Sequence, residues 1–443
     1  MPVSKKVLRP RRLAWQIIYK ALDRDRRLSD ITLELLSKTN FTDREKRFTV
    51  ELVQGTIRMR GRLDYELKKV YNNDWDELLL KVKVLLWLGA YQMKFMDGIP
   101  PYAAVSTSVT LAKAIHINTA GLVNAILRIY SSVCDEQMDE PEDETEWAEY
   151  MSHPDWLVRK WSLFWSREEV RDMCEWDNEK PTIWFRLNNT QMSIEERDEF
   201  LKENEFEFKT WEHDDRFFHV HHTSRLLNNP IFDEGKISIQ DPAGGLVVKL
   251  LDPQKREIIT DSCAAPGGKT SFISQLMENT GKIRAYDSHM ARLKKFAFGM
   301  ARLKVNNVDA EMADMTTKKL TRSGKMLVDV PCTGTGVMSK RADLRWRRTI
   351  KNLYELVQIQ RDILFNVGDY IKKEGVLVYS TCSLEPEENW GVIDHFMKLN
   401  PNWEVESAEK YVPKEYVDER GALYTFPPKH GIDGGFAVRL IKK

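Results

Sequence analysis

The sequence lacks the features that mark secreted, disulfide-bonded and membrane-spanning proteins. Its 443 residues include five cysteines, an odd number, and no two of them are spaced as Cys-x-x-Cys. Such a set argues against a disulfide framework and a zinc site, and it suits a reducing compartment. No stretch approaches the about 18 uninterrupted apolar residues of a membrane helix, and no apolar segment near the start is typical of a secretion signal. We therefore expect a cytoplasmic protein that contacts no membrane.

Charge is balanced over the whole chain but unevenly distributed along it. The 67 Lys and Arg residues equal the 67 Asp and Glu residues in number. Residues 1–134 carry 23 basic and 13 acidic side chains, and residues 150–240 carry 12 basic and 19 acidic ones. Between them, residues 135–149 carry nine acidic side chains and no basic one, which leaves residues 241–443 with a net charge of +6. A polyanion would therefore meet the two ends of the chain rather than its middle.

Length and hydrophobic periodicity predict several domains. Length alone favours two to four of them. Apolar residues recur at steps of three and four within residues 1–134, which predicts an all-α bundle of five to seven helices, with Ser29 and Thr42 as helix N-caps. The acidic run at 135–149 contains few apolar residues and is interpreted as a solvated linker. Residues 150–240 mix helical and strand patterns and predict a small α+β domain.

Strand and helix patterns alternate from residue 241 to residue 443. Strand-like segments occur at 257–260, 282–286, near Glu311, at 326–329 and at 376–379. This alternation predicts a parallel sheet with helices on both faces, a Rossmann-like α/β domain. Ligands bind such sheets at the carboxyl ends of the strands, so those ends are where we expect the chemistry.

A glycine-containing turn lies between the first of these strands and the helix that follows it. It reads Asp261-Ser262-Cys263-Ala264-Ala265-Pro266-Gly267-Gly268-Lys269-Thr270. Small residues let a ligand approach the backbone, and the start of the helix offers free N–H groups. The next strand ends at Asp287, where a carboxylate can hold ribose hydroxyls, and later strands end at Asp314 and Asp329.

On its own, a glycine turn is as often an ordinary tight turn of an α/β protein as it is a ligand-binding loop. The turn together with three acids at strand ends instead indicates a nucleoside-bearing cofactor. It has neither the Gly-Lys-Ser/Thr spacing of a P-loop nor Gly-x-Gly-x-x-Gly, so nucleotide hydrolysis and NAD binding are weaker fits. His213, His219, His221 and His222 alternate as on a strand and have no nearby carboxylate set, so no metal site is expected.

Two cysteines follow two consecutive strands of the predicted sheet. Cys332 follows Asp329-Val330-Pro331, and Cys382 follows Tyr379-Ser380-Thr381. Neighbouring turns should bring both thiols together, although a buried structural pair or a disulfide are the alternatives. A thiolate that attacks carbon 6 of a cytosine makes carbon 5 nucleophilic enough to accept a methyl group, and a nearby carboxyl group can stabilise the ring. Position and chemistry select this pair of thiols without deciding which of them attacks.

A basic segment with one tryptophan follows Cys332. Six basic residues and one acidic residue lie between Lys340 and Lys351. Basic side chains neutralise phosphates and an indole offers a stacking face, while a solvated helix start is the equally weighted alternative. The predicted RNA-contacting residues are Lys340, Arg341, Arg345, Trp346, Arg347 and Arg348. A second basic surface is predicted from Arg58, Arg60 and Arg62, with Arg44, Lys46 and Arg47 nearby, although an ordinary charged helix is nearly as good an interpretation.

Together these motifs resemble the Sun/Fmu type of RNA cytosine-5 methyltransferase, and within it the 16S ribosomal-RNA enzymes with a NusB-like N-terminal domain. The resemblance covers nearly the whole chain and also includes His153-Pro154-x-Trp156, Gln240-Asp241 and Glu387-Glu388-Asn389. It implies methyl transfer from S-adenosylmethionine to carbon 5 of a cytosine in RNA, most naturally 16S ribosomal RNA, through a covalent bond between a cysteine and carbon 6. It also implies a NusB-like RNA-binding domain and ribosomal RNA as partner. We expect a monomer, although the sequence leaves the oligomeric state open.

The resemblance further implies roles for individual residues. Cys382 would be the nucleophile, Cys332 would assist release of the methylated product, and Lys269 would order the substrate site. Asp287 would hold the ribose of the cofactor, and Asp329 would face both cofactor and base. The adenine would lie near Asp314, and the remaining residues expected to line the cofactor are Cys263, Ala264, Ala265, Pro266, Gly267, Gly268 and Lys269.

The sequence departs from the family pattern in two places near the expected site. Val330 replaces the usual alanine before Pro-Cys, and Arg341-Ala342 replaces a frequent His-Pro pair, which bears on RNA specificity. Two other function classes remain open. A methyltransferase with another substrate would transfer its methyl group into protein or a small molecule. A NusB-like RNA-binding protein without catalysis would fail to bind S-adenosylmethionine.

Overall fold

The computed structural model describes residues 4–136 and 138–443. The first three residues of the predicted domain 1–134, and residue 137 of the predicted linker, lie outside the described residues. The chain divides into two units. The first contains the residues up to Lys180 together with Met338–Arg348 and is called the helical unit here. The second, called the sheet unit, contains Pro181–Val337 and Thr349–Lys443.

Within its described residues the helical unit contains α-helices and one short 3₁₀ helix, with no strand. Numbered in chain order through both units, its helices are α1 (Lys5–Asp23), α2 (Leu28–Leu36), α3 (Asp43–Arg58), α4 (Arg60–Val70), α5 (Leu80–Lys94), α6 (Pro101–Ile115), α7 (Ala120–Val133), α8 (Glu144–Tyr150), α9 (Asp155–Trp161), α10 (Arg167–Asn178) and α17 (Leu344–Arg347). Helices α1 to α7 confirm the predicted bundle of five to seven helices. Their apolar faces meet in one core, where Leu86, Trp87 and Leu127 are buried, and Ala342 of the segment 338–348 is buried in the same core.

The two predicted helix N-caps have different outcomes. Thr42 caps α3 in a capping box, because its side chain accepts from the Glu45 N–H while the Glu45 carboxylate accepts from the Thr42 N–H. The prediction for Ser29 is wrong, since α2 already begins at Leu28. A carboxylate from a distant segment replaces the local cap: Asp343 Oδ2 accepts a hydrogen bond from the Leu28 N–H at 3.0 Å.

The acidic segment 135–149 differs from the solvated linker that its composition predicts. Its second half forms α8, whose start is capped by the Asp143 carboxylate. Trp147 and Ala148 are buried and Glu149 pairs with Lys68 of α4, so this acidic helix packs within the helical unit. Residues 151–180, which the sequence grouped with the middle domain, also lie in the helical unit. The domain boundaries themselves stay predictions.

The first sheet of the sheet unit is small and antiparallel. It contains β1 (Trp184–Leu187), β2 (Phe208–Trp211), β3 (Asp214–Val220) and β4 (Ile237–Ile239), accompanied by α11 (Ile194–Glu203), α12 (Thr223–Leu227) and α13 (Pro230–Asp233). The strand order is β2-β3-β1-β4, and every neighbouring pair is antiparallel. Phe185, Leu187 and Phe218 lie in its core. This arrangement confirms the predicted α+β middle domain.

The second sheet has eight strands and confirms the predicted α/β domain. Its strands are β5 (Ile258–Asp261), β6 (Lys282–Asp287), β7 (Val308–Met312), β8 (Ser323–Asp329), β9 (Ile371–Thr381), β10 (Trp403–Glu406), β11 (Leu423–Thr425) and β12 (Gly435–Lys442). The helices are α14 (Pro242–Leu251), α15 (Gly268–Leu276), α16 (Met290–Arg302), α18 (Ile350–Gly368), α19 (Trp390–Leu399) and α20 (Pro427–His430). No helix among the described residues is both long and apolar enough to span a membrane.

The strand order places a switch point at the centre of this sheet. The order is β10-β12-β9-β8-β5-β6-β7, with β11 paired to β12. Strand β5 pairs in parallel with β6 on one side and with β8 on the other, so successive strands are added in opposite directions from it. Strand β12 pairs antiparallel to β9 and extends the sheet at one edge. The carboxyl ends of β5 and β8 therefore form the crevice in which sheets of this kind bind ligands.

Candidate active site

The glycine turn joins the carboxyl end of β5 to the first turn of α15. It is held against β6 by two hydrogen bonds, from the Ala264 N–H to the Tyr286 carbonyl at 2.8 Å and from the Ala265 N–H to Asp287 Oδ2 at 3.3 Å. The peptide bond between Ala265 and Pro266 is cis. Gly267 has φ of +107°, and a Cβ there would lie 2.6 Å from Met300 Cε. Only glycine fits this position without moving its neighbours.

Asp287 is buried at the end of β6 and faces the glycine turn. Besides the Ala265 N–H, its carboxylate accepts from the His289 N–H at 3.0 Å and pairs with Arg292 Nη2 at 3.3 Å. Arg292 also donates to the Ala265 carbonyl, so this side chain ties the acid to the turn. A carboxylate has about four acceptor positions, so Asp287 keeps capacity for a further donor. Its role toward a ribose stays a prediction.

Asp314 lies just beyond β7, near the edge of the sheet, and is exposed. The N–H and the hydroxyl of Thr316 donate to its Oδ1 at 2.9 and 2.7 Å, and these hydrogen bonds lower the pKa of the Asp314 carboxyl. The group is therefore held as a carboxylate. Its expected place near an adenine stays a prediction.

Two residues that support the glycine turn escaped the sequence prediction. Asp261 is buried at the end of β5 and accepts a hydrogen bond from Thr270 Oγ1 at 2.6 Å. Arg186 comes from β1 of the antiparallel sheet, and its guanidinium donates to the Gly268 carbonyl at 3.1 Å and to Ser271 Oγ at 3.0 Å. Because Arg186 is fully buried, burial lowers its pKa to about 9. The Asp in the motif was visible in the sequence, whereas nothing near Arg186 pointed to the turn.

Lys269 and Asp329 form an ion pair across the switch point. Lys269 Nζ lies 2.7 Å from Asp329 Oδ2, and the other oxygen, Oδ1, accepts from Ser380 Oγ at 2.7 Å. Burial opposes the charge on Lys269, but the Asp329 carboxylate outweighs it, so the pKa of the lysine is raised. Cys382 also interacts electrostatically with this ammonium group. The structure thus brings together three residues that the sequence predicted for the site.

The two thiols of the site are in contact and unbonded. Cys332 Sγ and Cys382 Sγ lie 3.2 Å apart, both residues are half-buried, and both are free cysteines. The expectation that the two βα turns bring the thiols together is confirmed, and the disulfide alternative is not what the structure has. Contact with Cys382 and burial raise the pKa of the Cys332 thiol. A further residue that the sequence did not single out for the site, Glu388, lies buried beside the Cys332 turn.

The segment 338–348 lies in the helical unit, and the structure corrects one of its predicted RNA contacts. Arg345 is fully buried, and its guanidinium donates to the carbonyls of Ser152 and Asp177 at 3.1 and 2.7 Å and to Asn178 Oδ1 at 2.7 Å. The guanidinium is therefore engaged with protein acceptors in the interior, and burial lowers its pKa to about 10. The next residue, Trp346, is half-buried and donates its indole N–H to the Ile57 carbonyl at 2.8 Å.

The remaining residues of the segment are at least partly accessible. Arg341 is exposed, Lys340 and Arg348 are half-buried, and Arg347 donates to Asp25 Oδ1 at 2.9 Å. RNA contact by these four side chains stays a prediction. Sequence alone does not separate Arg345 from its neighbours, because all are basic and lie within one short stretch.

Of the second predicted basic surface, Arg44, Lys46 and Arg47 are exposed, and RNA contact by them stays a prediction, whereas Arg58, Arg60 and Arg62 are engaged within the helical unit. Arg58 is buried, and its Nη2 donates to the Ser339 carbonyl at 3.3 Å. Arg60 lies over the rings of Trp87 and Trp346, 5.1 Å from each centroid. Arg62 forms an ion pair with Glu66, so the three guanidinium groups serve the packing of the helical unit. Among the described residues, no group of three or more His, Cys, Asp or Glu side chains is arranged to hold a metal ion.

The doubly wound sheet, with a glycine turn and acids at its switch point, defines an α/β domain that binds a nucleoside-bearing cofactor. Comparison with protein families is more specific. Residues 248–441 match the family described as 16S rRNA methyltransferase RsmB/F, residues 8–132 match the NusB family, and residues 153–217 match the ferredoxin-like domain of RsmF/B-like methyltransferases. The chain belongs to the 16S rRNA methyltransferase RsmB/F family, which uses S-adenosylmethionine as cofactor.

Individual relatives align over nearly the whole chain. The probable ribosomal RNA small subunit methyltransferase B of Bacillus subtilis strain 168 is 32% identical over 438 residues, which cover 95% of this chain and 96% of that protein. Its namesake in Synechocystis sp. PCC 6803 is 30% identical over 442 residues, 98% and 99% of the two chains. The crystal structure of PH0851 covers all of both chains with a TM-score of 0.81 at 23% identity, which shows a shared fold.

Proposed function

We propose that the protein transfers a methyl group from S-adenosylmethionine to carbon 5 of a cytosine in 16S ribosomal RNA. The observation that carries this proposal is the pair of thiols that lie 3.2 Å apart without a disulfide bond, beside the ion pair of Lys269 and Asp329. A methyltransferase that modifies oxygen or nitrogen atoms has no need of two thiols at strand ends. The relatives in Bacillus and Synechocystis are named for small-subunit ribosomal RNA, which supports the substrate. With this substrate, we expect a monomeric enzyme that acts in the cytoplasm.

The residues of the glycine turn fit S-adenosylmethionine. Gly267 and Gly268 leave the backbone N–H groups at the start of α15 open to a ligand, and a Cβ at Gly268 would stand 3.9 Å from the Gln240 side chain. We propose that the residues from Cys263 to Lys269 line the cofactor and that Asp287 accepts hydrogen bonds from its ribose. Bound there, the cofactor supplies an electrophilic methyl group on a sulfonium sulfur.

Charges around the two thiols favour Cys382 as the nucleophile. Cys382 interacts with the Lys269 ammonium group, which stabilises a thiolate. Cys332 instead interacts with the Glu388 carboxylate, which opposes a thiolate. A free thiol with a pKa of about 8.5 is only a few per cent ionised at neutral pH, so this difference supports Cys382 as the attacking sulfur.

The proposed reaction runs through a bond between Cys382 and the base. The Cys382 thiolate adds to carbon 6 of the cytosine, and the electron pair of the ring double bond moves toward carbon 5 and the ring. Carbon 5 then takes the methyl group with that electron pair. Loss of the proton from carbon 5 restores the double bond and expels the Cys382 thiolate. The bond between the methyl group and the sulfonium sulfur breaks in the transfer and leaves a neutral thioether, and a base, such as a water molecule, takes the proton from carbon 5. We propose that Cys332 assists the last step and that Asp329 hydrogen-bonds the ring while the charge of the ring changes.

We propose that RNA phosphates contact the accessible basic residues of the segment 338–348. The side chains that support this are Lys340, Arg341, Arg347 and Arg348, with the half-buried Trp346 beside them. Arg345 is left out of this set because its guanidinium is fully buried and donates to three protein acceptors.

The proposal is tested with unmodified 16S ribosomal RNA and tritiated S-adenosylmethionine, followed by nuclease mapping of the labelled base. We expect label on 5-methylcytosine with the wild-type protein and none with Cys382→Ala. Cys332→Ala should accumulate a protein–RNA adduct that survives denaturing gel electrophoresis. Cys134→Ala, which removes a thiol of the helical unit, serves as control and should behave as wild type.

Three outcomes would count against the proposal. Full activity of Cys382→Ala, together with an inactive Cys332→Ala that forms no adduct, would exchange the roles of the two thiols. Label in protein and not in RNA would indicate a different substrate class. Failure to bind S-adenosylmethionine in calorimetry would indicate an RNA-binding protein without this catalysis.

A further inference from the structure

The buried carboxylate of Glu388 braces the turn that carries Cys332. Glu388 Oε1 accepts hydrogen bonds from the Thr333 N–H at 2.8 Å and from Gln360 Nε2 at 2.8 Å. Glu388 Oε2 accepts from Thr333 Oγ1. Thr333 directly follows Cys332. The Glu388 carboxylate therefore holds the Cys332 turn through both the backbone N–H and the side-chain hydroxyl of Thr333. Gln360 also donates to the Pro331 carbonyl at 2.9 Å, on the other side of Cys332.

The same network extends to the turn that carries Cys382. Thr333 Oγ1 lies 3.1 Å from Ser383 Oγ, and Ser383 directly follows Cys382. The main chain joins the turns as well, because the Gly336 N–H donates to the Cys382 carbonyl at 3.1 Å. Tyr379 OH donates to the Glu388 carbonyl at 2.7 Å and anchors the acid to β9. Glu388 is therefore at the centre of the hydrogen-bond network that joins the Cys332 turn to the Cys382 turn.

The charged and titratable groups that face Cys332 include the Cys382 thiol, the Glu388 carboxylate and the buried Tyr379 hydroxyl, and the ion pair of Lys269 and Asp329 lies beside Cys382. Burial raises the pKa of Glu388, and the hydrogen bonds donated by Ser383, Thr333 and Gln360 oppose that effect. Each of these donated hydrogen bonds favours the ionised carboxylate.

We propose that Glu388 is a positioning residue that places Cys332 beside Cys382 and, by its negative charge, disfavours a second negative charge on Cys332. Its effect on turnover rests on the proposed function, whereas its effect on thiol reactivity does not. The carboxylate keeps Cys332 from competing as a nucleophile and keeps its sulfur within reach of the Cys382 sulfur during product release. Glu388 lies 55 residues after Thr333 in the sequence, so only the fold brings it to the Cys332 turn.

The first test measures thiol reactivity in the protein without RNA or cofactor. Iodoacetamide alkylation of Cys332 and Cys382 is followed by peptide mass spectrometry between pH 6 and 10. Glu388→Gln removes the charge and places an amide N–H₂ against donors of Thr333 or Gln360. Because a carboxylate nearby raises the pKa of a thiol, we expect the pH midpoint of Cys332 alkylation to fall by about one unit in Glu388→Gln, so the alkylation rate at a fixed pH below the midpoint should rise about tenfold.

Two variants separate charge from geometry in this test. Glu388→Asp keeps the charge with a shorter reach, and the Cys332 midpoint should stay near the wild-type value. Thr333→Val removes the hydroxyl that contacts both Glu388 and Ser383 but leaves the Glu388 carboxyl group in place, so it should loosen the turn without lowering the Cys332 midpoint. An unchanged Cys332 midpoint in a folded Glu388→Gln protein would overturn the electrostatic part of the proposal, whatever the enzyme's substrate.

The second test measures the partition of the covalent adduct during turnover. If Glu388 positions Cys332 for product release, Glu388→Gln should accumulate the denaturation-resistant RNA adduct as Cys332→Ala does, with at least about a tenfold loss of turnover. Glu388→Asp should restore part of the release. Loss of turnover without adduct in Glu388→Gln, when Cys332→Ala does accumulate adduct, would overturn the positioning role and leave the proposed function intact. Absence of adduct in both variants would overturn the proposed function instead.

Discussion

Lys269 Nζ lies 2.7 Å from Asp329 Oδ2, although sixty residues separate the two side chains along the chain. The lysine is on the first turn of α15 and the aspartate ends β8, so their contact spans the switch point of the sheet. Ser380 fixes the other oxygen of Asp329 at 2.7 Å. Because Cys382 interacts with the same ammonium group, the ion pair connects the glycine turn to the thiols.

Lys269→Met should lower methyl transfer strongly while leaving the fold intact. The change removes the cation that stabilises a Cys382 thiolate, and loss of one such stabilising group costs about a hundredfold in rate. Single-turnover transfer under saturating RNA and cofactor is the measurement. Lys269→Arg keeps the charge and should lose less. Lys282→Met alters an exposed lysine at the opposite end of the sheet and should match wild type. Equal rates for Lys269→Met and wild type would show that the ammonium group is not used.

The alternation of strands and helices was predictable from the sequence, because buried parallel strands have a strong apolar signature. The glycine turn and the strand-end acids were predictable for the same reason, since each follows a recognisable strand. The ion pair of Lys269 with Asp329 was not, because it depends on β8 pairing with β5 rather than on local sequence. The contact of Arg186 with the glycine turn was not predictable for a similar reason, since its partners on α15 lie more than eighty residues away.

Gly267→Ala should weaken cofactor binding at least about tenfold, a loss of about 1.4 kcal/mol. A Cβ at Gly267 meets Met300 Cε at 2.6 Å and Phe296 Cδ2 at 2.9 Å, so the turn must shift to accommodate it. Calorimetric titration with S-adenosylmethionine measures the effect. Gly431→Ala is the matched control, because Gly431 also has positive φ, +66°, but its Cβ would have no neighbour within 4 Å. If both variants bind the cofactor as wild type does, the turn does not hold it.

The basic segment shows where charge patterns mislead. Six basic residues in a short stretch predict a nucleic-acid surface, and the pattern contains no sign that one of them is interior. Arg345 donates to acceptors that lie 193 positions earlier, in the loop before α9, and 167 and 168 positions earlier, at the end of α10. Which member of a basic run packs inside depends on long-range contacts and not on the run itself.

Arg345→Met should destabilise the helical unit by about 3–5 kcal/mol, because it leaves buried acceptors without donors. Arg347→Met is the matched control. The Arg347 side chain is 25% exposed and its partner Asp25 is 82% exposed, so this ion pair is worth less than about 1 kcal/mol. Hydrogen exchange of the α9 and α10 amides measures the free energy of opening. Normal exchange in Arg345→Met combined with weakened RNA binding would instead support direct RNA contact by Arg345.

Asp261 should make the stability of the sheet unit depend on pH. Burial raises the pKa of Asp261 to about 7, with Asp329 adding to the shift while Thr270 and Lys269 oppose it. An unfolded aspartate titrates near about 3.9, so the unfolded chain releases its proton first as pH rises. The folded state is therefore favoured below about pH 4, and this advantage is lost between about pH 4 and 7 at about 1.4 kcal/mol per pH unit.

Asp261→Asn should remove that dependence, because an amide is neutral and its oxygen still accepts from Thr270. The difference in unfolding free energy between variant and wild type should thus grow in favour of the variant from about pH 4 to 7 and stay level above it. Hydrogen exchange of the β5 amides across this range is the measurement. Asp309→Asn, at a position 71% exposed on β7, controls for general charge effects and should leave the dependence in place. A difference that does not vary with pH would mean that Asp261 is ionised in the folded protein throughout, with Lys269 or Thr270 holding its charge against burial.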